Sequence, residues 1–149
     1  MNLLLDTNVV IDYLGRKEPF FEPAEQIVAA GFFGDATLWM PAQSAADAFY
    51  VLNHYLDSAR VQSLLARLFE VVKPIALSAD ELFDATRLQW DDYEDCLVML
   101  AALKAHADYL ITRDKKGFTR SAVPALTPQE WLALQAKHGI SYTPAELSR

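Results

Sequence analysis

Four aspartates, Asp6, Asp47, Asp95 and Asp114, stand in four separate segments of the chain. Each falls at the end of an apolar strand-like run or at the start of a helical one. Oxygen-only donor sets of this kind suit Mg²⁺ or Mn²⁺. Such ions activate water and stabilise the leaving oxygen in phosphodiester cleavage. Each acid alone is a weak signal, and each has a plain structural alternative.

Asp6 ends the run Leu3–Leu5 in LLLDTNVVIDYL. Three leucines without polar alternation imply a strand buried on both faces. An acid at its tip is a helix cap or part of a site. Asp47 lies in QSAADAFYVLNHYL, three residues after Ser44. That spacing imitates a capping box, so capping and chemistry both stay open for Asp47. Asp95 lies in DDYEDCLVMLAALKAHADYL, and positions 95, 98, 99 and 102 share one helical face. The helix is apolar all round from Cys96 to Leu103, which implies burial. Asp92 is placed to cap it, so Asp95 needs another reason, because an unpaired buried carboxylate is costly. Asp92 and Glu94 themselves read as ordinary first-turn acids. Asp114 stands in LITRDKKGF, where the alternative is a turn. Around it, Arg113, Lys115, Lys116 and Arg120 form the densest basic patch in the chain, a place to position phosphates.

The elements that must place these acids follow from periodicity and punctuation. Strands are expected at 3–5, 37–41, 70–75, 109–112 and 123–126. Helices are expected at 8–14, 44–56, 60–69, from the Ser78 cap to 90, at 93–107, and from the Thr127 cap and Pro128 to 137. A further helix within 18–35 should be closed by Gly31 and Gly34. Short strands alternating with helices predict an α/β fold, with a mainly parallel sheet of about five strands. Sites in such sheets form beyond the carboxyl ends of the strands, where Asp6 and Asp114 fall.

The bulk numbers exclude several classes. The 149 residues fit one domain, and 52% hydrophobic content supplies a core. No apolar run reaches the ~20 residues of a membrane helix. No basic region precedes the N-terminal apolar segment, so no signal peptide is expected. The single Cys96 permits no internal disulfide and no multi-cysteine metal site, which fits a cytoplasmic location. A net charge of −7 argues against a general nucleic-acid coat. It does not argue against a nuclease, because bound cations offset clustered acids. His54, His106 and His138 lack metal-ligand spacing. Trp39, Trp90 and Trp131 read as core or interface anchors.

In order along the chain, LLLDTNVVIDYL, the strand-Pro-x-x-Ser-x-x-Asp helix near 41–47, DDYEDCLVMLAALKAHADYLITRD and VPALTPQEWL resemble the PIN domain family, over residues 1 to about 135. The resemblance implies a three-layer α/β/α fold over residues 1–138, with 139–149 left as a tail of unknown role. It implies a divalent-metal-dependent ribonuclease, with Asp6, Asp47, Asp95 and Asp114 lining the metal site. Asn8 would brace the first acid's loop, Thr112 would be its polar neighbour, and Asp92 would lie at the rim. It points to VapC-like toxins of toxin–antitoxin pairs, hence to an RNA substrate, an antitoxin partner and a homodimer. Asp47 stands where the family commonly has Glu, and Gly117 where many relatives carry Asp.

Three rivals stand beside this reading. A haloacid-dehalogenase-like phosphatase needs a second Asp two residues after the first, where this chain has Asn8. A receiver domain needs an acid pair, where this chain has Leu5-Asp6. A catalytically inactive PIN-fold module that binds RNA or protein draws support from Asp47. Finally, FFEPAEQIVAAGFF should be part core and part exposed partner surface.

Overall fold

A computed structural model of the protein describes residues 1–142. The chain runs β1 (Asn2–Leu5), α1 (Thr7–Leu14), α2 (Phe21–Phe32), β2 (Thr37–Pro41), α3 (Gln43–Leu52), α4 (Ser58–Leu68) and β3 (Val72–Ile75). It continues α5 (Ala79–Leu88), α6 (Tyr93–Lys104), β4 (Tyr109–Ile111), a 3-10 turn (Lys115–Phe118), β5 (Ala125–Leu126) and α7 (Pro128–Lys137). The five strands form one sheet in the order β3-β2-β1-β4-β5, and every pairing is parallel. Helices cover both faces, which gives the expected three-layer α/β/α arrangement.

The leucine run explains itself in this frame. Successive strand side chains point to opposite faces. Leu3 and Leu5 join one core with Val9, Ile27, Ala48, Val61 and Trp131, drawn from α1, α2, α3, α4 and α7. Leu4 joins the other core with Val98, Ala101 and Ala102 of α6, and with Leu110, Phe118 and Val123. β1 is therefore central and dry on both sides, so its tip is a rigid place for a side chain.

Several ends differ from the sequence expectation, each for a local reason. α2 runs through Gly31, which is there for close packing, since a Cβ would press into Leu38 at 2.5 Å; Gly34, with φ +84°, lies beyond the end. α3 stops at Leu52 instead of 56, and Asp57 starts the next helix by accepting from the Arg60 amide at 2.7 Å. Left-handed Gln89 and His106 end α5 and α6 short of 90 and 107. The Thr127 cap and Pro128 start α7 as read. Past residue 138, Tyr142 stacks on Trp131 at 6.2 Å and its hydroxyl donates to Asp35. Ile140 also packs on this core. The rest of the tail, 143–149, lies outside the described residues. In FFEPAEQIVAAGFF, Ile27 and Val28 are buried while Phe32 and Phe33 are exposed.

The two-sided core carries a stability expectation. Leu3→Ala should cost about 2–5 kcal/mol in urea unfolding. Leu103→Ala, on an exposed position of α6, should stay within about 0.5 kcal/mol. Equal losses at both positions would contradict this account of the core.

Candidate functional site

β1 lies between β2 and β4, so the chain leaves it in one direction first and returns to its other side later. That makes the β1–β4 boundary the topological switch point, where ligand sites of open α/β sheets form. Asp6 leaves β1 there, and its amide donates to the Ile111 carbonyl of β4 at 2.9 Å. Thr112 and Asp114 leave β4 beside it. Asp47 comes in on α3, and Asp95 on the first turn of α6.

Asp6 is buried and fully engaged. One carboxylate oxygen accepts from the Thr7 amide at 2.7 Å, which caps α1. The other accepts from the buried Thr112 hydroxyl at 2.8 Å. Burial raises the Asp6 pKa first of all; these two hydrogen bonds lower it, and the charges of Asp114 and Asp92 raise it again. Thr112 Oγ1 in turn accepts from Asn8 Nδ2 at 3.5 Å and from the Asp114 amide at 3.2 Å. Asn8 Oδ1 accepts from the Arg113 amide at 3.3 Å. Asn8 thus touches the loop after β4 and reaches Asp6 only through Thr112.

The capping alternative for Asp47 does not hold. Ala42 occupies the cap position of α3 without a side-chain bond. The Ser44 hydroxyl is turned away to the Thr7 hydroxyl at 2.7 Å, in the interior. Asp47 is half-buried and makes no hydrogen bond or ion pair among the described residues. Asp92 caps α6 by accepting from the Asp95 amide at 3.0 Å. The Asp95 carboxylate accepts no hydrogen bond among the described residues. Its pKa is pushed up to about 6, by desolvation first and then by Asp92, Asp6, Glu94 and Asp114. Asp114 is exposed and caps the 3-10 turn through the Lys116 amide. Glu94 belongs to this group although the sequence showed only a first-turn acid. Desolvation raises its pKa most, followed by Asp47, Asp6 and Asp92.

Gly117 also acquires a reason. A Cβ built there would run into the Asp95 carboxylate. Glycine leaves that oxygen its space, where a larger residue would displace it.

The cations do not neutralise this cluster. The Arg113 guanidinium is spent on Asp12, Lys115 on Glu130 at 2.9 Å, and Arg120 on the Leu88 and Gln89 carbonyls that end α5. Arg113, Lys115 and Arg120 are therefore not a free phosphate patch. Lys116 is exposed, and its ammonium has no partner among the described residues. No Lys or Arg pairs with Asp6, Asp47, Asp95 or Asp114 among those residues.

As they stand, no three His, Cys, Asp or Glu side chains among the described residues form a ready-made metal cage. The donor chemistry still fits a hard divalent cation. The donors are carboxylates alone, burial first and neighbouring acids second raise the pKa values of Asp6 and Asp95, and no Lys or Arg among the described residues pairs with them. Without a cation, a proton is the only other relief. Asp95 titrates near 6 in the fold against about 3.9 unfolded, so the native state holds that proton more tightly. The stabilisation from protonated Asp95 is present below about pH 4 and is lost as pH rises through 6. In chelator, Asp95→Asn should melt above the wild type at pH 7–8, and the gap should close toward pH 4. A gap that does not change with pH would contradict this electrostatic picture.

Comparison with known proteins bears on the fold and the family. No curated protein sequence matches this chain. The VapBC2 complex of Rickettsia felis, bound to a promoter DNA fragment, is similar with a TM-score of 0.63 at 19% identity; 85% of this chain and 98% of the matched chain are covered. VapC20 of Mycobacterium tuberculosis, a sarcin–ricin loop cleaving toxin, is similar with a TM-score of 0.63 at 13% identity, covering 79% and 94%. VapBC-1 of nontypeable Haemophilus influenzae is similar with a TM-score of 0.62 at 20% identity, covering 87% and 99%. These likenesses show a shared fold. A family model described as the PIN domain matches residues 2–116, most of the chain, and the chain belongs to the PIN domain family.

Proposed function

We propose that this chain is a divalent-metal-dependent ribonuclease and the toxin of a type II toxin–antitoxin pair. The observation that carries the reading is a cluster of carboxylates without a paired cation among the described residues, at the switch point of a PIN fold. When bound, Mg²⁺ or Mn²⁺ supplies Lewis acidity and a water of lowered pKa for phosphodiester hydrolysis.

The chain's own residues divide the remaining work. Asp6 and Asp95 would hold the ion, and Asp47 and Asp114 would assist them or orient the attacking water. Thr112 fixes Asp6 by its hydrogen bond, Asn8 braces the loop after β4, and Asp92 holds the start of α6 at the rim. Water attacks phosphorus in line and gives its proton to a carboxylate or to solvent, the P–O bond to the leaving oxygen breaks, and that oxygen takes a proton from solvent. Lys116 is the member of the basic patch left to meet phosphate. The similar VapBC and VapC20 structures support an antitoxin partner and an RNA substrate for this chain. Exposed Phe32, Phe33, Tyr50 and Tyr55 offer apolar surface for a second copy or a partner. No helix among the described residues is long and apolar enough to cross a membrane, and we place the activity in the cytoplasm.

A second reading is a PIN-fold module that binds RNA or protein without cutting. It is favoured by Asp47, a short acid with no partner, and by the lack of a three-ligand arrangement among the described residues.

Cleavage of a labelled RNA with Mg²⁺, Mn²⁺ or chelator separates the two. The nuclease reading expects metal-dependent cleavage. It expects Asp6→Asn to slow it on the order of a hundredfold or more, the scale of losing several kcal/mol of charge stabilisation. Equal cleavage by Asp6→Asn or in chelator would overturn it. RNA binding without cleavage would favour the second reading.

A further inference from the structure

We propose that the pair of buried Asp12 and half-buried Arg113 is a positioning latch that sets Asp114 relative to Asp6. The latch is read from geometry alone; its consequence for catalysis rests on the nuclease reading.

Arg113 is the one residue between Thr112, which binds Asp6, and Asp114. Its Nε donates to Asp12 Oδ2 at 2.9 Å and its Nη2 to Oδ1 at 3.3 Å. The guanidinium carbon lies 4.1 Å from the centroid of the Phe20 ring. One edge of the group is thus on a carboxylate and one face on an aromatic ring. Its backbone amide donates to Asn8 Oδ1 at 3.3 Å. Asn8 and Asp12 are four residues apart on α1, so they lie on one helical face. The helix that begins at Asp6 therefore grips the loop that ends at Asp114 twice, once by main chain and once by side chain.

Stability does not explain the pair. Asp12 is 2% exposed, on a helix whose Val9, Val10 and Leu14 are also buried. A buried ion pair is often no better for stability than an apolar pair of similar volume. An apolar pair lacks direction, however. A bidentate fork stacked on a ring fixes both the position and the plane of the group that bears it. That rigidity is transmitted over one residue to Asp114. Arg113 is thus a positioning residue, its guanidinium engaged by Asp12 and Phe20.

The test compares wild type with Arg113→Lys, which keeps the charge but loses the fork. A second variant, Asp12→Leu with Arg113→Met, replaces the pair by apolar volume and guards against a buried unpaired charge. The first readout is amide hydrogen exchange, without metal or RNA. The amides of Arg113, Asp114 and Lys116 donate to Asn8, Thr112 and Asp114 side chains. They should exchange at least about tenfold faster in both variants. The Leu110 and Thr112 amides, bonded to β5-side carbonyls at 2.9 Å, should be unchanged. Unchanged protection at 113–116 in both variants would overturn the latch.

The second readout is RNA cleavage. For Arg113→Lys, kcat should fall about 10–100-fold while KM stays within about threefold. Faster exchange with unchanged kcat would overturn the positioning role and leave the nuclease reading intact. If the wild type does not cleave, the nuclease reading fails, and the exchange result alone supports or overturns the latch.

Discussion

Burial of one carboxylate, Asp6, at the tip of the central strand is the constraint on which the rest of the site depends. An unpaired carboxylate in the interior is costly unless it is hydrogen-bonded or charged against a partner. Here one oxygen is satisfied by the start of α1 and the other by Thr112. Those two bonds join the central strand, its own following helix and the end of β4. The remaining acids are then arranged around a fixed point, supplied by elements whose cores lie on both faces of the sheet.

Charge is distributed to keep that point negative. Arg113, Lys115 and Arg120 occur close by, yet their charged groups are turned to Asp12, Glu130 and helix-end carbonyls, which leaves Lys116 alone without a partner among the described residues. Burial first, and then the charges of neighbouring acids, raise the pKa values of Asp6, Asp95 and Glu94. Protonation relieves the charge on Asp95 at mildly acidic pH, and a hard divalent cation would relieve it near neutrality. On the proposed reading, the same arrangement that destabilises the bare fold is what would accept a cation, a common compromise at functional sites.

Much of this was legible in the sequence because it depends on local pattern. An apolar run without alternation marked β1 as central, and an acid at its end marked the site. Asp92 and the Thr127-Pro128 pair announced helix starts that the structure contains. What could not be read depends on partners distant in sequence. Ser44 looked like a cap for the helix of Asp47, but its hydroxyl bonds Thr7, 37 residues away. The basic patch looked free because Asp12 and Glu130 lie in other segments. Asp12 did leave a signal, an acid in the apolar run VVIDYL, of the same kind that singled out Asp95. Glu94 left none beyond its place next to Asp95. Gly117 read only as a departure from relatives, and its cause is the Asp95 carboxylate beside it.

The central claim is that the acid cluster is built for a divalent cation, and calorimetric titration with Mn²⁺ tests it most directly. The wild type and Asp95→Asn should be titrated near neutral pH, each with and without a non-cleavable RNA. The account expects saturable Mn²⁺ binding by the wild type and its loss in Asp95→Asn, with both proteins folded. Equal binding by the two proteins, or no binding by the wild type even with RNA present, would contradict it.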